Sequence, residues 1–415
     1  MTVSIVEKWD RRISWSLMYY YFANAVNYTV KSVFPISSSL WNLISLVIGI
    51  SIGIVLLGSI RQVYKRSSKI FIDSYVIFGA LYLISTLMIM FRGEPTNLIR
   101  EIAISTFAFY IPVGTYAVSV CNKKILYDVM LKGSNVLFAL MTFRILANYG
   151  LVNTVKEELE YSMSFGYILI VPTLFHYNEG FQKRKTTYMV LFILDVFGIL
   201  LFASRGVLLS IFAFVLYKTF VSARSASTKV LYAMFFLVVY VLISSYGDVM
   251  LNRTIVALDN RGVSSRTLNM IEANAIDDDS GRNYLYKVSY EMILEKPFFG
   301  WGLGGEYYHF AERLNQPDAN TACSSHNGVL QAMVQFGVIG GLLASLFIII
   351  PIFGLKKIKD SYLKDIITIY FCAYAIPSVT ISSGFFVQPQ IAIYLYLYYF
   401  SKKQLKIHSL PNRIS

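Results

Sequence analysis

Three short polar motifs carry the residue types best suited to chemistry in this chain: Ser280–Gly281–Arg282, the run Glu295–Lys296–Pro297–Phe298–Phe299–Gly300–Trp301–Gly302–Leu303–Gly304, and Ser325–His326–Asn327. An arginine offers a permanently charged fork of donors. A histidine gains or loses its proton near neutral pH. Each stands beside small residues that permit close backbone approach. All three motifs fall between about Ser245 and Ser325, the one long polar segment of a sequence that is otherwise apolar runs. A polar loop carried on a rigid apolar scaffold is where such a chain does its work.

The scaffold follows from composition. Of 415 residues, 56% are hydrophobic and only 15% charged, with a mean hydropathy of +0.55. A soluble domain carries about 25% charged residues. Apolar runs of about 20 residues recur along the chain, the length needed to span a bilayer as helix. The expected class is an all-α polytopic integral membrane protein with one large extracytoplasmic loop. The net charge of +13 sits mostly in short loops, where it sets orientation; nucleic acid is not an expected partner.

The expected spans are Trp15–Phe34, Leu40–Ile60, Ile70–Met90, Ile99–Val120, Leu126–Ala147, Met163–His176, Thr187–Ala203, Gly206–Val221, Lys229–Ser245, Gly328–Phe353, Ile366–Ile381 and Gln388–Phe400, about 12 in all. They divide the chain into an N-terminal membrane region (1–245), the extracytoplasmic loop (246–326), and C-terminal membrane helices with a tail (327–415). Read as one helix, Thr187–Val221 would exceed about 50 Å, against a hydrocarbon core of about 30 Å. Two helices with a turn at Ser204–Arg205–Gly206 are expected instead. The turn also lifts Arg205 from the bilayer centre, where a charge costs at least about 2.5–3.5 kcal/mol.

Orientation follows from Lys and Arg. The N-terminus (Lys8, Arg11, Arg12), Arg61–Lys69, Lys123–Lys124, Lys183–Lys185, Lys218–Lys229, Lys356–Lys364 and the tail (Lys402, Lys403, Lys406) all fall on one side of such a topology. That side is expected to be cytoplasmic. Arg205, Arg282 and His326 then come to the outer face from separate parts of the chain. No cleavable signal peptide is expected in Met1–Arg12. Cys121, Cys323 and Cys372 are placed too differently to pair and are read as packing residues.

Within the outer loop, Asn283–Lys296 reads as a helix with Leu285, Val288, Met292 and Ile293 on its apolar face, stopped by Pro297. Gly300–Gly305 fits G-x-G-x-x-G literally, but no strand precedes it and no clear helix follows. A tight turn is expected there rather than a nucleotide site.

The ordered set of motifs resembles a known family. Ser204–Arg205–Gly206 before an apolar helix, Ser280–Gly281–Arg282 before an amphipathic one, Lys296–Pro297–Phe298–Phe299–Gly300–Trp301–Gly302, and Ser325–His326–Asn327 followed by Phe336–Gly337–Val338–Ile339–Gly340 are similar to the O-antigen polymerase/ligase family. The similarity covers roughly Asp195–Ile350. It implies an integral glycosyltransferase of GT-C type in a bacterial cytoplasmic (inner) membrane. Such an enzyme takes a glycan from undecaprenyl pyrophosphate on the outer face. Polymerases pass it to another lipid-linked repeat unit, and ligases to lipid A–core. Tyr161–Tyr167 and Phe91–Arg92–Gly93 look more like polymerases. A chain-length regulator is a possible partner.

The resemblance assigns the family's basic residues to Arg205 and Arg282 and its histidine to His326. Two arginines suit a leaving pyrophosphate, because their forks pair bidentately with phosphate oxygens, and stabilising developing charge in a water-poor site is often the largest catalytic contribution. Neither a metal nor a cofactor is invoked. His326 precedes a long helix whose N-terminus disfavours imidazolium, so a neutral ring is available to take a proton from an acceptor hydroxyl, or to orient that sugar.

Other polar residues have plainer expected roles. An arginine ending a membrane helix is commonly a snorkelling anchor. His309 and His408 read as solvated, and His176 as having no visible partner. Asp277–Asp279 reads as a solvated run, with a divalent ion as the lesser alternative. Most tyrosines read as interfacial anchors and packing. A lipid-linked glycan flippase is the alternative of another class; it calls for several charges deep within spans, and Lys132, Arg144 and Asp195 are the main candidates.

Overall fold

The computed structural model describes residues 4–34, 37–147, 163–202, 205–222, 282–316, 323–380 and 388–408, with a few isolated positions between them. Every regular element among these is helical: α1 (Ile5–Val33), α2 (Ser38–Phe91), α3 (Asn97–Ser105), α4 (Ile111–Ser119), α5 (Lys123–Leu146), α6 (Met163–Tyr177), α7 (Thr186–Phe202), α8 (Arg205–Ser222), α9 (Arg282–Glu295), α10 (Glu306–Arg313), α11 (Gly328–Gly354), α12 (Ser361–Tyr370), α13 (Ile376–Thr380) and α14 (Pro389–His408). Helices stand over the expected spans up to Ser222 and from Gly328 onward; the expected span Lys229–Ser245 lies outside the described residues. Among the described residues, Ser39–Phe91, Asn97–Ser119, Lys123–Leu146 and Gly328–Lys357 are long and apolar enough to cross a membrane, and Thr186–Leu201 and Gly206–Phe220 are shorter apolar helices. The chain is an integral membrane protein.

Breaks in the helices have local causes. The 54-residue stretch α2 is two helices, because Ser67 leaves helical geometry at φ −137° and ψ 26°. Its hydroxyl donates to the Val63 carbonyl at 2.7 Å, a back-bond that bends helices. This break falls inside the expected basic turn Arg61–Lys69. Two π-turns, Thr106–Tyr110 and Phe371–Ala375, each run into an Ile-Pro step, at Pro112 and Pro377. A proline without an N–H cannot close the ordinary i to i−4 bond, and the widened turn accommodates it. Helices α7 and α8 pack against each other, so the Thr187–Val221 stretch is two elements, as its length demanded.

The chain forms two compact units. One comprises Met1–Tyr21, Val47–Met130 and Ser280–Ser415. In it α14 packs along α4, close enough that a Cβ on Gly114 would come within 2.5 Å of the Tyr396 ring. The segment from α9 to α10 is held on one side by α11, through Val288, Met292, Trp301, Phe310 and Val334. On its other side Leu303 and Tyr307 pack with Ile89, Leu98, Ile99 and Ile102. Asp10 is buried, paired with Arg66 at 2.5 Å, and accepts the backbone N–H groups of Cys121 and Asn122. The other unit comprises Phe22–Leu46 and Leu131–Asp279, with α6, α7 and α8 packed together.

Candidate functional site

Helix α9 forms where the sequence places it. Val288, Met292 and Ile293 bury one face, each contributing about 1.5–3 kcal/mol; Leu285 is only half-buried. After Pro297 the chain docks edge-on against α11. The N–H groups of Trp301 and Gly302 donate to the carbonyls of Val334 and Gln335 at 2.8 and 2.9 Å, and Val338 N–H donates to Pro297 O at 2.8 Å. These partners exist because α11 breaks at Gly337, with φ +73° and ψ 176°. A broken helix at membrane depth must have its freed backbone groups satisfied by protein, and the Pro297–Gly302 run does this. A side chain at Gly337 would collide with the Phe298 carbonyl, and one at Gly300 would come within 2.5 Å of Gln335 and Val334. The two glycine-bearing motifs, with Gly300 and Gly337 separated by 37 positions in sequence, are two halves of one backbone joint.

The joint supports the His326 loop. Helix α10 follows directly at Glu306, so a helix does follow the glycine run; the expectation of none there is corrected. Glu306 is fully buried. It accepts from Gly304 N–H at 2.6 Å, from Gln331 Nε2 at 2.9 Å and from Gln335 Nε2. The other end of the Gln331 amide, Oε1, lies 3.0 Å from both the N–H and the hydroxyl of Ser325. Asn327 caps α11, its Oδ1 accepting from Val329 and Leu330 N–H at 3.0 and 3.1 Å. Between these two anchored residues His326 adopts φ +49°, a left-handed conformation uncommon for a residue with a side chain.

His326 is half-buried. Burial pushes its pKa below the ordinary histidine value, and the Arg282 guanidinium lowers it further. The structure thus brings Arg282 and His326 into electrostatic contact, with a neutral imidazole favoured. Arg205 opens α8 in the other unit. Arg205 and Arg282 are each the first residue of a helix with no acidic residue in its first turn, and His326 immediately precedes the capped start of α11. Cations oppose the helix dipole there, at a cost of about 0.3–1 kcal/mol, whereas anions are favoured.

Three plain expectations change. His309 is not solvated: its Nε2 is 2.9 Å from Glu94, and its ring centroid lies 3.8 Å from that of Trp301. Arg92 binds Glu94 through two nitrogens, at 2.5 and 3.0 Å, and donates to Trp301 O. Burial pushes the Glu94 carboxyl up, but the bonds from Arg92 and His309 outweigh it and hold the group below its ordinary value. His176 does have partners: its Nδ1 lies 2.6 Å from Asp195 and its Nε2 3.0 Å from Asn135, all within α5–α7. Of the three intramembrane charges, Asp195 is therefore paired, Arg144 is buried against Ser32 and the Tyr28 ring, and Lys132 is exposed. None of the three cysteines is in a disulfide, and Cys323 and Cys372 are buried. Asp277–Asp279 and the side chain of His408 lie outside the described residues, among which no cluster of His, Cys, Asp and Glu is suited to a metal ion.

Residues 190–345 match the family model described as O-antigen ligase. That stretch is similar to the O-antigen ligase family, and it contains Arg205, Arg282, Glu306, His326 and Gln331. No curated protein and no solved structure matches the chain. Sequence reading missed Glu306 and its glutamine partners. The available signal was Gln331 and Gln335, two amides one helical turn apart in an apolar run, a spacing that aims both at one point.

Proposed function

We propose that this protein is a polysaccharide polymerase of GT-C type with about 12 membrane spans. It transfers a growing glycan from undecaprenyl pyrophosphate to another lipid-linked repeat unit at the outer face of the bacterial cytoplasmic membrane. The carrying observation is His326 itself, half-buried on left-handed backbone, with a pKa lowered by burial and then by the Arg282 charge, inside the matched stretch. His326 takes the proton of the acceptor hydroxyl as the sugar–oxygen bond forms. The bond from the anomeric carbon to the pyrophosphate breaks, and Arg282 and Arg205 hold the charge left on the lipid pyrophosphate. Both arginines open helices, whose N-termini add to the attraction for phosphate. A chain-length regulator is the expected protein partner.

The test is reconstitution with undecaprenyl-pyrophosphate-linked repeat units alone. A ladder of longer lipid-linked glycans is expected, without nucleotide and with chelator present. Product only when lipid A–core is added identifies a ligase. Translocation without lengthening identifies a flippase. Loss of the ladder in chelator, with recovery in Mg or Mn, overturns the metal-free chemistry and turns attention to Asp277–Asp279. Orientation is checked by labelling cysteines introduced at Asn315 and Lys359, both exposed. Impermeant reagent added outside should reach the first only.

A further inference from the structure

Glu306 has no part in the chemistry above, yet it is the most completely enclosed acidic group near His326. Its carboxylate meets three donors, Gly304 N–H, Gln331 Nε2 and Gln335 Nε2. No described residue pairs it with a cation. The titratable groups facing it are the phenols of Tyr82 on α2 and Tyr307 beside it, which are uncharged near neutral pH. The elements packed around it from α11 and the glycine run supply only amides. A buried carboxylate kept without a counter-charge is costly, and a hydrophobic residue would fill the same space at lower cost.

Its arrangement has a direction. An ionised carboxylate accepts only, so it fixes the Nε2 end of Gln331 toward itself. The Oε1 end is then forced toward Ser325, where it meets that residue's N–H and hydroxyl, each at 3.0 Å. Ser325 is bonded directly to His326, whose backbone stands in a conformation it would not choose unaided. A strained residue keeps such a conformation only where its surroundings over-determine it. Asn327 fixes the chain on the far side through its cap. On the near side Ser325 is fixed both by Gln331 and by its own hydroxyl, which spans His326 to Asn327 O at 2.7 Å and accepts from Asn327 N–H at 3.3 Å.

We propose that Glu306 is a positioning residue for His326, holding it through Gln331 and Ser325 in the left-handed backbone conformation from which its imidazole meets the acceptor. The proposal rests on the reading of His326 as the proton acceptor. Protonating Glu306 places a proton against groups that are all donors: on Oε1 it displaces the amide of Gln331 or Gln335, on Oε2 the Gly304 N–H, and the neutral carboxyl that remains is a weaker acceptor, which releases its grip on Gln331. Burial pushes the Glu306 carboxyl up to about 7, against hydrogen bonds that lower it, which puts this release at neutral pH. His326 must be deprotonated to work, and its own value lies below the ordinary 6.5. Activity therefore falls in two separate steps as pH decreases, the upper one belonging to Glu306.

The experiment uses purified full-length protein in proteoliposomes. Consumption of undecaprenyl-pyrophosphate-linked repeat unit is followed from pH 5.5 to 9, with lipid A–core added if it is needed as acceptor. Glu306→Gln should lower kcat about tenfold or more at pH 8, the scale of a small misplacement of a catalytic group, with little change in KM. The step near pH 7 should vanish and the lower step remain. Gln331→Met breaks the same link while keeping the carboxylate, less one of its three donors, and should likewise uncouple activity from the step near pH 7; it carries the test if Glu306→Gln does not fold. A loss that is uniform in pH, or wild-type kcat with the step near 7 retained, overturns the proposal. Full activity of His326→Ala overturns the proton-acceptor reading itself. An inactive His326→Ala beside a Glu306→Gln indistinguishable from wild type removes only the positioning role.

Discussion

His326 and His176 occupy opposite kinds of setting. His176 sits in the last turn of α6, fully buried, with one ring nitrogen on Asp195 and the other on Asn135. No nitrogen is left for a substrate, and the ring ties α5, α6 and α7 of its unit together. His326 sits in a loop on strained backbone, half-buried, and among the described residues no hydrogen bond engages its ring. Its protein contacts act on the backbone either side of it and through charge from Arg282. The comparison teaches that hydrogen-bond satisfaction separates a structural histidine from a working one better than burial does. Evolution spends strain where a group must face a ligand, and saturates the partners of a group that must not move.

The largest effects should divide the two. His326→Ala is expected to cut donor consumption about 10²–10⁴-fold, the range for a positioned acid–base group, while the thermal midpoint stays near wild type. Arg282→Ala and Arg205→Ala should each cost about 10²–10³-fold, as for loss of one charge-stabilising donor, and lysine should rescue neither because a point charge cannot replace the fork. His176→Ala should do the reverse. It strands the Asp195 carboxylate in the interior, costing about 1–3 kcal/mol of stability, with turnover per folded molecule preserved. Loss of turnover in well-folded His176→Ala would break the comparison at its root.

Next in size is the backbone joint. Gly337→Ala must place a methyl against the Phe298 carbonyl and hold an L-residue at φ +73°. Strain of that kind costs about 1–3 kcal/mol before any displacement. The expected outcome is a lower thermal midpoint together with reduced activity, since the Glu306–Gln331 link hangs from the same part of α11. Gly49→Ala, where no atom lies within 4 Å of the added methyl, is the control and should change neither.

Much of this was legible in the residues. Length and hydropathy located the helices, and the 50 Å limit placed the break before Arg205. The apolar spacing Val288–Met292–Ile293 gave α9 and its buried face. The ordered motifs pointed to Arg282 and His326, whose roles are proposals; the matched stretch spans both positions. What was not legible depended on distance in space. That Gly300 and Gly337 answer each other needs the docking of a loop on a broken helix, which no local pattern encodes. His309 meets Glu94 across 215 positions, and His176 meets Asp195 across 19. A histidine read alone in sequence defaults to solvent, and in both cases tertiary packing supplied the partner.

The smallest expected effect concerns the two buried carboxylates. Asp195 has a histidine beside it, whereas Glu306 has only amides and a backbone N–H. For Glu306 the folded value of about 7 stands above the ordinary 4.5, so the folded state binds the extra proton between these limits. Stability is then fully present below about pH 4.5 and declines as pH rises through 7, because ionising the group in the interior costs more than ionising it in the unfolded chain. The thermal midpoint of wild type should drift downward from pH 5 to pH 8. Glu306→Gln cannot ionise and should lack that share of the drift, coming out relatively more stable at pH 8 though less active there. A residue that is destabilising in the very form that supports turnover is the pattern of a stability–function trade-off. Equal slopes for wild type and Glu306→Gln would mean that folding does not raise the Glu306 pKa, so that the group is already ionised well below neutral pH, and the contrast between a working and a merely structural carboxylate would fail with it.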